Sequence, residues 1–278
     1  MEEFETCKNC ETKLKGDFCH NCGQKHVVDK TIKYIMGQLL SALYFVDSKF
    51  IRSIKYFLFF PGKLSRAFIE GKRVDYISPI SLFFILNICY FLFNSASDLN
   101  LSLTDQISLQ EYSPWAKELV KERLTQNDLT FQEYSIAYNT ESSSLSKTLI
   151  ILNIPVLTLF VVLLNIRRNY YFLDHFIYAT HLMTFILFCF TFLFPIIWYL
   201  ISAIGNTIMV NFDDLYGAYF SIPISIIYII YVFISFRKAF AANIVHGAIA
   251  SIVLAIGFLA MNLSYRFVLF VATYYTLG

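Results

Sequence analysis

Four cysteines open the chain in two pairs, Cys7-x2-Cys10 and Cys19-x2-Cys22, with eight residues between them. One CxxC turn lets two thiolates grip an ion, and two such turns supply a closed tetrahedral shell. Gly23 follows the second pair, where a knuckle needs a residue that tolerates positive φ, and Glu11 stands at the equivalent place after the first. Residues 1–29 hold too little apolar material for a core of their own. A structural zinc ion would supply the folding energy, on the order of 10–16 kcal/mol in comparable peptides. Two disulfides are the competing chemistry. The opening segment lacks the apolar stretch of a signal peptide, which predicts a cytosolic, reducing setting that favours zinc. Nucleic acid is a poor fit as partner, because residues 1–30 carry five Lys against six Asp or Glu.

A second group is basic. Residues 31–75 contain eight Lys or Arg and three acids. Their plain role is anchoring at an anionic membrane surface, where each cation gains about 1 kcal/mol. The sharper one is a lipid-headgroup or anion site at Lys63, Arg66, Lys72 and Arg73. A third group lies in apolar surroundings: Asn153, Asp174, His175, His181, Asn243 and His246. Asp174, Tyr178 and His181 are spaced i, i+4, i+7 and share a helical face. Ionisable residues at membrane depth are functional candidates. Ordinary interhelical hydrogen bonds, worth about 0.6 kcal/mol each, are the alternative.

The elements that must carry these residues follow from composition. Of 278 residues, 57% are hydrophobic and only 15% charged, too apolar for a water-soluble globule. The expectation is an all-α integral membrane protein in three parts. A zinc ribbon occupies 1–29, and basic amphipathic juxtamembrane helices occupy 30–78. Within these, Ile32, Ile35, Met36, Leu39, Leu40 and Leu43 line one helical face. A transmembrane bundle takes 79–278, with five spans near 79–96, 148–166, 176–203, 218–236 and 240–263. Pro195 is expected to kink the third. Residues 97–147 form an extracytoplasmic insertion of one or two short helices, with Ser113-Pro114 as a helix start and Thr130 and Glu133 as a capping box. The last 15 residues could extend the fifth helix, lie along the interface or turn back. With the N-terminus inside, 17 of 22 basic residues are cytoplasmic, as the positive-inside rule requires.

The order CKNC…FCHNCGQ, then FFPGKLSRAFIEGKR, then an Asp-His pair opening a long aromatic span resembles a family of bacterial membrane proteins of unknown function. Members carry an N-terminal CxxC…CxxCGQ zinc ribbon and a PG…GKR juxtamembrane segment. The resemblance implies a bacterial inner membrane and supplies no activity. P-loop, GxSxG, HExxH and GxGxxG motifs are absent from the sequence, which reads against an enzyme. The expected role is a scaffold or regulator whose ribbon and basic collar dock a cytosolic protein at the membrane, in contact with lipids and compatible with an oligomer. A transporter or channel component with a polar intramembrane site is the second reading. A lipid-modifying enzyme using Asp174 and His175 as acid–base pair is the third.

Overall fold

A computed structural model describes residues 6–24, 48–93, 100–208 and 218–277. The apolar face expected between Ile32 and Leu43 lies outside the described residues. Regular structure is helical: α1 (Ser48–Phe59), α2 (Lys63–Ile69), α3 (Pro79–Phe93), α4 (Leu103–Ser108), α5 (Ser113–Asn127), α6 (Phe131–Leu149), α7 (Asn153–Leu164), α8 (Phe172–Phe188), α9 (Phe194–Ile208), α10 (Ala218–Phe240) and α11 (Ile244–Thr276).

Among the described residues, three helical stretches are long and apolar enough to cross a membrane: Phe131–Leu164, Phe172–Leu200 and Ile244–Thr276. The helix Pro79–Phe93 is apolar but shorter. The first stretch begins well before the expected 148. Thr130 caps α6 by accepting from the Glu133 N–H, while the Glu133 carboxylate accepts from Thr130, so the helix starts there. One 3-10 turn, Ile150–Leu152, carries it into α7 without a break. Polar composition had suggested an insertion up to residue 147, but composition does not interrupt helical hydrogen bonding. The expected kink before Pro195 is a π-helical turn, Cys189–Leu193, joining α8 to α9. A proline lacks an N–H and crowds the carbonyl four residues back, and widening the preceding turn relieves both. The C-terminal residues whose course was open continue α11 to Thr276.

The chain divides into two compact units. One contains residues 1–90 and 158–255. In it α2 lies against α8 and α10, with Leu64 and Phe68 buried and the Phe68 ring against that of His181 on α8. Glycine sets both ends of α2. Gly62 adopts φ 78° as its N-cap, and a Cβ there would lie 2.2 Å from the Ser235 carbonyl oxygen of α10. Only a residue without a side chain allows that approach. At the other end Gly71, at φ 87°, forms a Schellman closure. The Lys72 N–H donates to Ala67 O and the Gly71 N–H to Phe68 O.

The C-terminus of α10 closes in the same way, with Ala241 at φ 47° and the Ala242 N–H donating to Arg237 O. Its terminal carbonyls then receive three side chains. Arg66 Nη1 donates to Ala239 O (3.3 Å), Tyr170 Oη to Phe240 O (2.9 Å) and Arg168 Nη2 to Ala241 O (3.3 Å). Cations at a helix C-terminus satisfy both orphan carbonyls and the helix dipole.

The second unit contains residues 91–157 and 256–278. Its core is Leu103, Ala116, Val120, Tyr134, Tyr138 and Phe270. Ser102 caps α4, and the Leu103 N–H donates to Asn139 Oδ1 of α6 (2.9 Å). Tyr265 of α11 donates to Ser146 O (3.1 Å). Tyr112 and Trp115 pack their rings on Phe267 and Phe270.

Candidate metal centre

Two matching turns bring the four cysteines together. In the first, the Cys7 N–H donates to Thr12 O (2.9 Å) and the Glu11 N–H to Cys7 O (2.8 Å). In the second, the Cys19 N–H donates to Gln24 O and the Gly23 N–H to Cys19 O, both 2.8 Å. Each knuckle needs one left-handed residue, and these are Glu11 (φ 61°) and Gly23 (φ 73°). Glutamate therefore adopts the glycine conformation at a cost of about 1–2 kcal/mol. Thr6 and Lys13 form an antiparallel bridge that ties the first loop.

The sulfurs of Cys7, Cys10, Cys19 and Cys22 all lie within 4.8 Å of one another. Cys7 Sγ is 3.6 Å from Cys22 Sγ, and Cys10 Sγ is 3.5 Å from Cys19 Sγ. Disulfide sulfurs would be about 2.05 Å apart. Four sulfurs at about 2.3 Å around one ion form a tetrahedron with edges of about 3.8 Å, close to these spacings. Hydrogen bonds from the Thr12 side chain and backbone pull the Cys10 thiol down to about 6, while burial pushes Cys22 up to about 12. Four thiols this close do not all ionise without a cation among them, and a metal ion supplies it. The donor set fits one metal ion.

The ribbon is seated on the loop that leaves α2. Gln24 is buried, and its carboxamide works in both directions: Nε2 donates to Gly71 O (2.6 Å) and Oε1 accepts from the Arg73 N–H (3.3 Å). Asn9 Nδ2 donates to Asp75 Oδ2 (3.1 Å), and the other Asp75 oxygen pairs with Arg52 of α1 at 3.2 Å. The Ile77 N–H donates to Ser53 Oγ (2.8 Å), a side chain fully buried on α1. Sequence reading had passed over Gln24, Asn9, Asp75 and Ser53. Their types are common on surfaces, and only the contact between distant segments gives them a role.

Each of the four basic candidates has partners of its own. Arg66 and Lys72 both flank Glu70, at 2.5 Å and 3.6 Å, and Arg66 also reaches α10. Lys63 Nζ sits 4.2 Å above the Tyr56 ring and 5.2 Å from that of Phe60. Arg73 engages the ribbon through its backbone.

The polar candidates at helix depth, Asn153 apart, are likewise engaged one by one. Asp174 is the capping residue of α8, its Oδ2 accepting the Tyr171 N–H (2.9 Å). His175 Nδ1 bonds Tyr171 O (2.8 Å), and its ring stacks on Phe240. His181 Nδ1 and Ser65 Oγ of α2 share a 2.8 Å hydrogen bond, enclosed by the rings of Phe57 and Phe68. Asn243 is exposed and caps α11 by accepting the His246 N–H (2.8 Å), while His246 Nε2 donates to Leu164 O (2.9 Å). Asn153 is buried in the second unit. Asn243 thus serves a helix start, a role that a lone Asn inside an apolar run had hidden.

Residues 47–91 match the family described as a protein of unknown function, DUF3667. The matched stretch runs from the residue before α1 through α2 into α3 and includes both glycines that bound α2. No curated protein and no solved structure matches the chain.

Proposed function

We propose that this protein is a multi-pass membrane scaffold or regulator. Its zinc-loaded, cytosolic ribbon docks a protein partner and is coupled mechanically to the helices behind it. The observation that carries this reading is the continuous run of contacts from the ribbon to the long helices. Gln24 and Asn9 grip the segment 71–75, α2 continues it, and Gly62, Ser65 and Arg66 seat α2 on α8 and α10. A ribbon that served only to bind metal would need no such seat.

Five spans with a cytosolic N-terminus fit this arrangement. The α7–α8 turn with Arg168, the α10–α11 turn after Arg237 and Lys238, and α2 with Arg66 meet at the carbonyl end of α10. A shared basic end is what positive-inside sorting produces in a bacterial inner membrane. Lys49, Arg52 and Lys55 on α1, with exposed Ile51 and Phe59, suit a helix lying at the lipid surface. Asp174 and Asn243 serve caps, and His181 and His246 each make one interhelical bond, which favours scaffolding over a transport pathway or an acid–base pair.

Crosslinking in native membranes, followed by purification of the full chain, tests the proposal. A defined partner should be recovered with wild type and lost with Cys19→Ser, while helical content is retained. Gln24→Ala, which keeps every metal ligand, should weaken recovery as well. Equal recovery with all three proteins would discard the docking role.

A further inference from the structure

Arg123 of α5 projects from the same face as Ala116 and Val120, which places it at the core of the second unit rather than in solvent. It is 9% exposed. Its guanidinium lies 4.3 Å above the Tyr274 ring, and its Nη1 has no hydrogen-bond partner among the described residues. The hydroxyl of Tyr134, within the electrostatic reach of Arg123 and Tyr274, is also buried without a partner. Residues 100–157 include seven acids, and among the described residues none forms an ion pair with Arg123. Asp105 accepts from Ser102, Glu122 from Gln126 and Glu133 from Thr130, so three of them are committed to their own helices.

A buried guanidinium is normally paired, because desolvating an isolated charge is costly. Stacking on Tyr274 satisfies the flat face of the group and leaves Nη1, on its edge, without an acceptor. The Tyr134 Oη, in the electrostatic neighbourhood of Arg123 and likewise unpartnered, can also donate. Fixed donors, one positive charge and no carboxylate make up the chemistry that recognises an oxyanion. We propose that Arg123 and Tyr134, with Tyr274 holding the guanidinium plane, form a binding site for a phosphate group, free or in a lipid headgroup.

Thermal unfolding of the full-length protein in neutral detergent, titrated with inorganic phosphate against chloride of matched ionic strength, tests the site. A second arm compares nanodiscs of phosphatidylcholine with nanodiscs containing phosphatidylglycerol. Wild type should show a saturable midpoint rise of about 5 °C at phosphate far above its dissociation constant, or with the anionic lipid. The arm that responds identifies the source of the phosphate. Arg123→Gln should abolish the rise, and Tyr134→Phe, which removes only the hydroxyl, should lower the apparent affinity several-fold and serves alone if the arginine variant fails to fold. Absence of a rise in both arms, an equal rise with chloride, or an undiminished rise in the variants would overturn the proposal.

Discussion

Glu11 and Ala241 occupy backbone positions that chirality disfavours, and each does so for an identifiable reason. Glu11 turns the first metal knuckle as Gly23 turns the second, and Ala241 is the left-handed residue that closes α10. Replacing either with glycine removes about 1–2 kcal/mol of strain and adds about 0.5–1 kcal/mol of unfolded-chain entropy. Glu11→Gly should therefore tighten metal retention by a few fold in a chelator competition. Ala241→Gly should raise the unfolding midpoint slightly, since its side chain is exposed. Weaker retention or a lower midpoint would mean that the side chains hold something that their backbone geometry does not reveal. Cysteine spacing alone pointed to the metal ligands, because CxxC turns are local. The partners of His181 and Gln24 were not legible, as Ser65 and Gly71 lie far away in sequence.

Among the elements, α2 is the one that the rest of its unit depends on. It has only seven residues, too few to be stable alone, and it persists because glycine bounds it and four of its side chains are buried. The two glycines differ in what surrounds them. Gly62→Ala would drive a methyl group into the backbone of Ser235, which cannot move without shifting α10, and should cost on the order of 3 kcal/mol. Gly71→Ala meets only the Lys8 side chain at 3.1 Å, which can swing aside, so backbone strain of about 1–2 kcal/mol is the expected loss. Unfolding of both variants in detergent checks the ranking, and equal losses would show that α2 does not bear on α10 as closely as the geometry indicates. Capping chemistry fixes the helix starts: Thr130 with Glu133, legible in the sequence as a capping box, starts α6, and Tyr171 with Asp174 starts α8 ahead of the expected 176.

At the scale of the molecule, the ribbon and the helices depend on different forces. Among the described residues the buried apolar core of the ribbon is Cys7, Cys19 and Leu14, with Cys10 and Cys22 packed against them, so metal removal should unfold residues 6–24. The helices have their own apolar packing and should persist. Treating the full-length protein with a strong chelator should make all four cysteines reactive to alkylation and leave the far-UV helical signal nearly unchanged. Protected thiols after metal loss, or a large fall in helicity, would show that the two parts fold as one.

By itself the sequence determined the membrane character, the four-cysteine cluster and the helical class. All three follow from short-range properties: apolar content over a span, thiol spacing within a turn, and helical periodicity. Tertiary structure alone decided that the ribbon sits on the segment after α2, that α2 is wedged against Ser235, and that Arg123 turns inward to Tyr274. It also decided that Asp174 serves as a cap while His181 and His246 each make a separate bond. These are contacts between residues tens to hundreds of positions apart. Such contacts are selected by the packing of the whole chain, for which no local pattern in the sequence is a proxy.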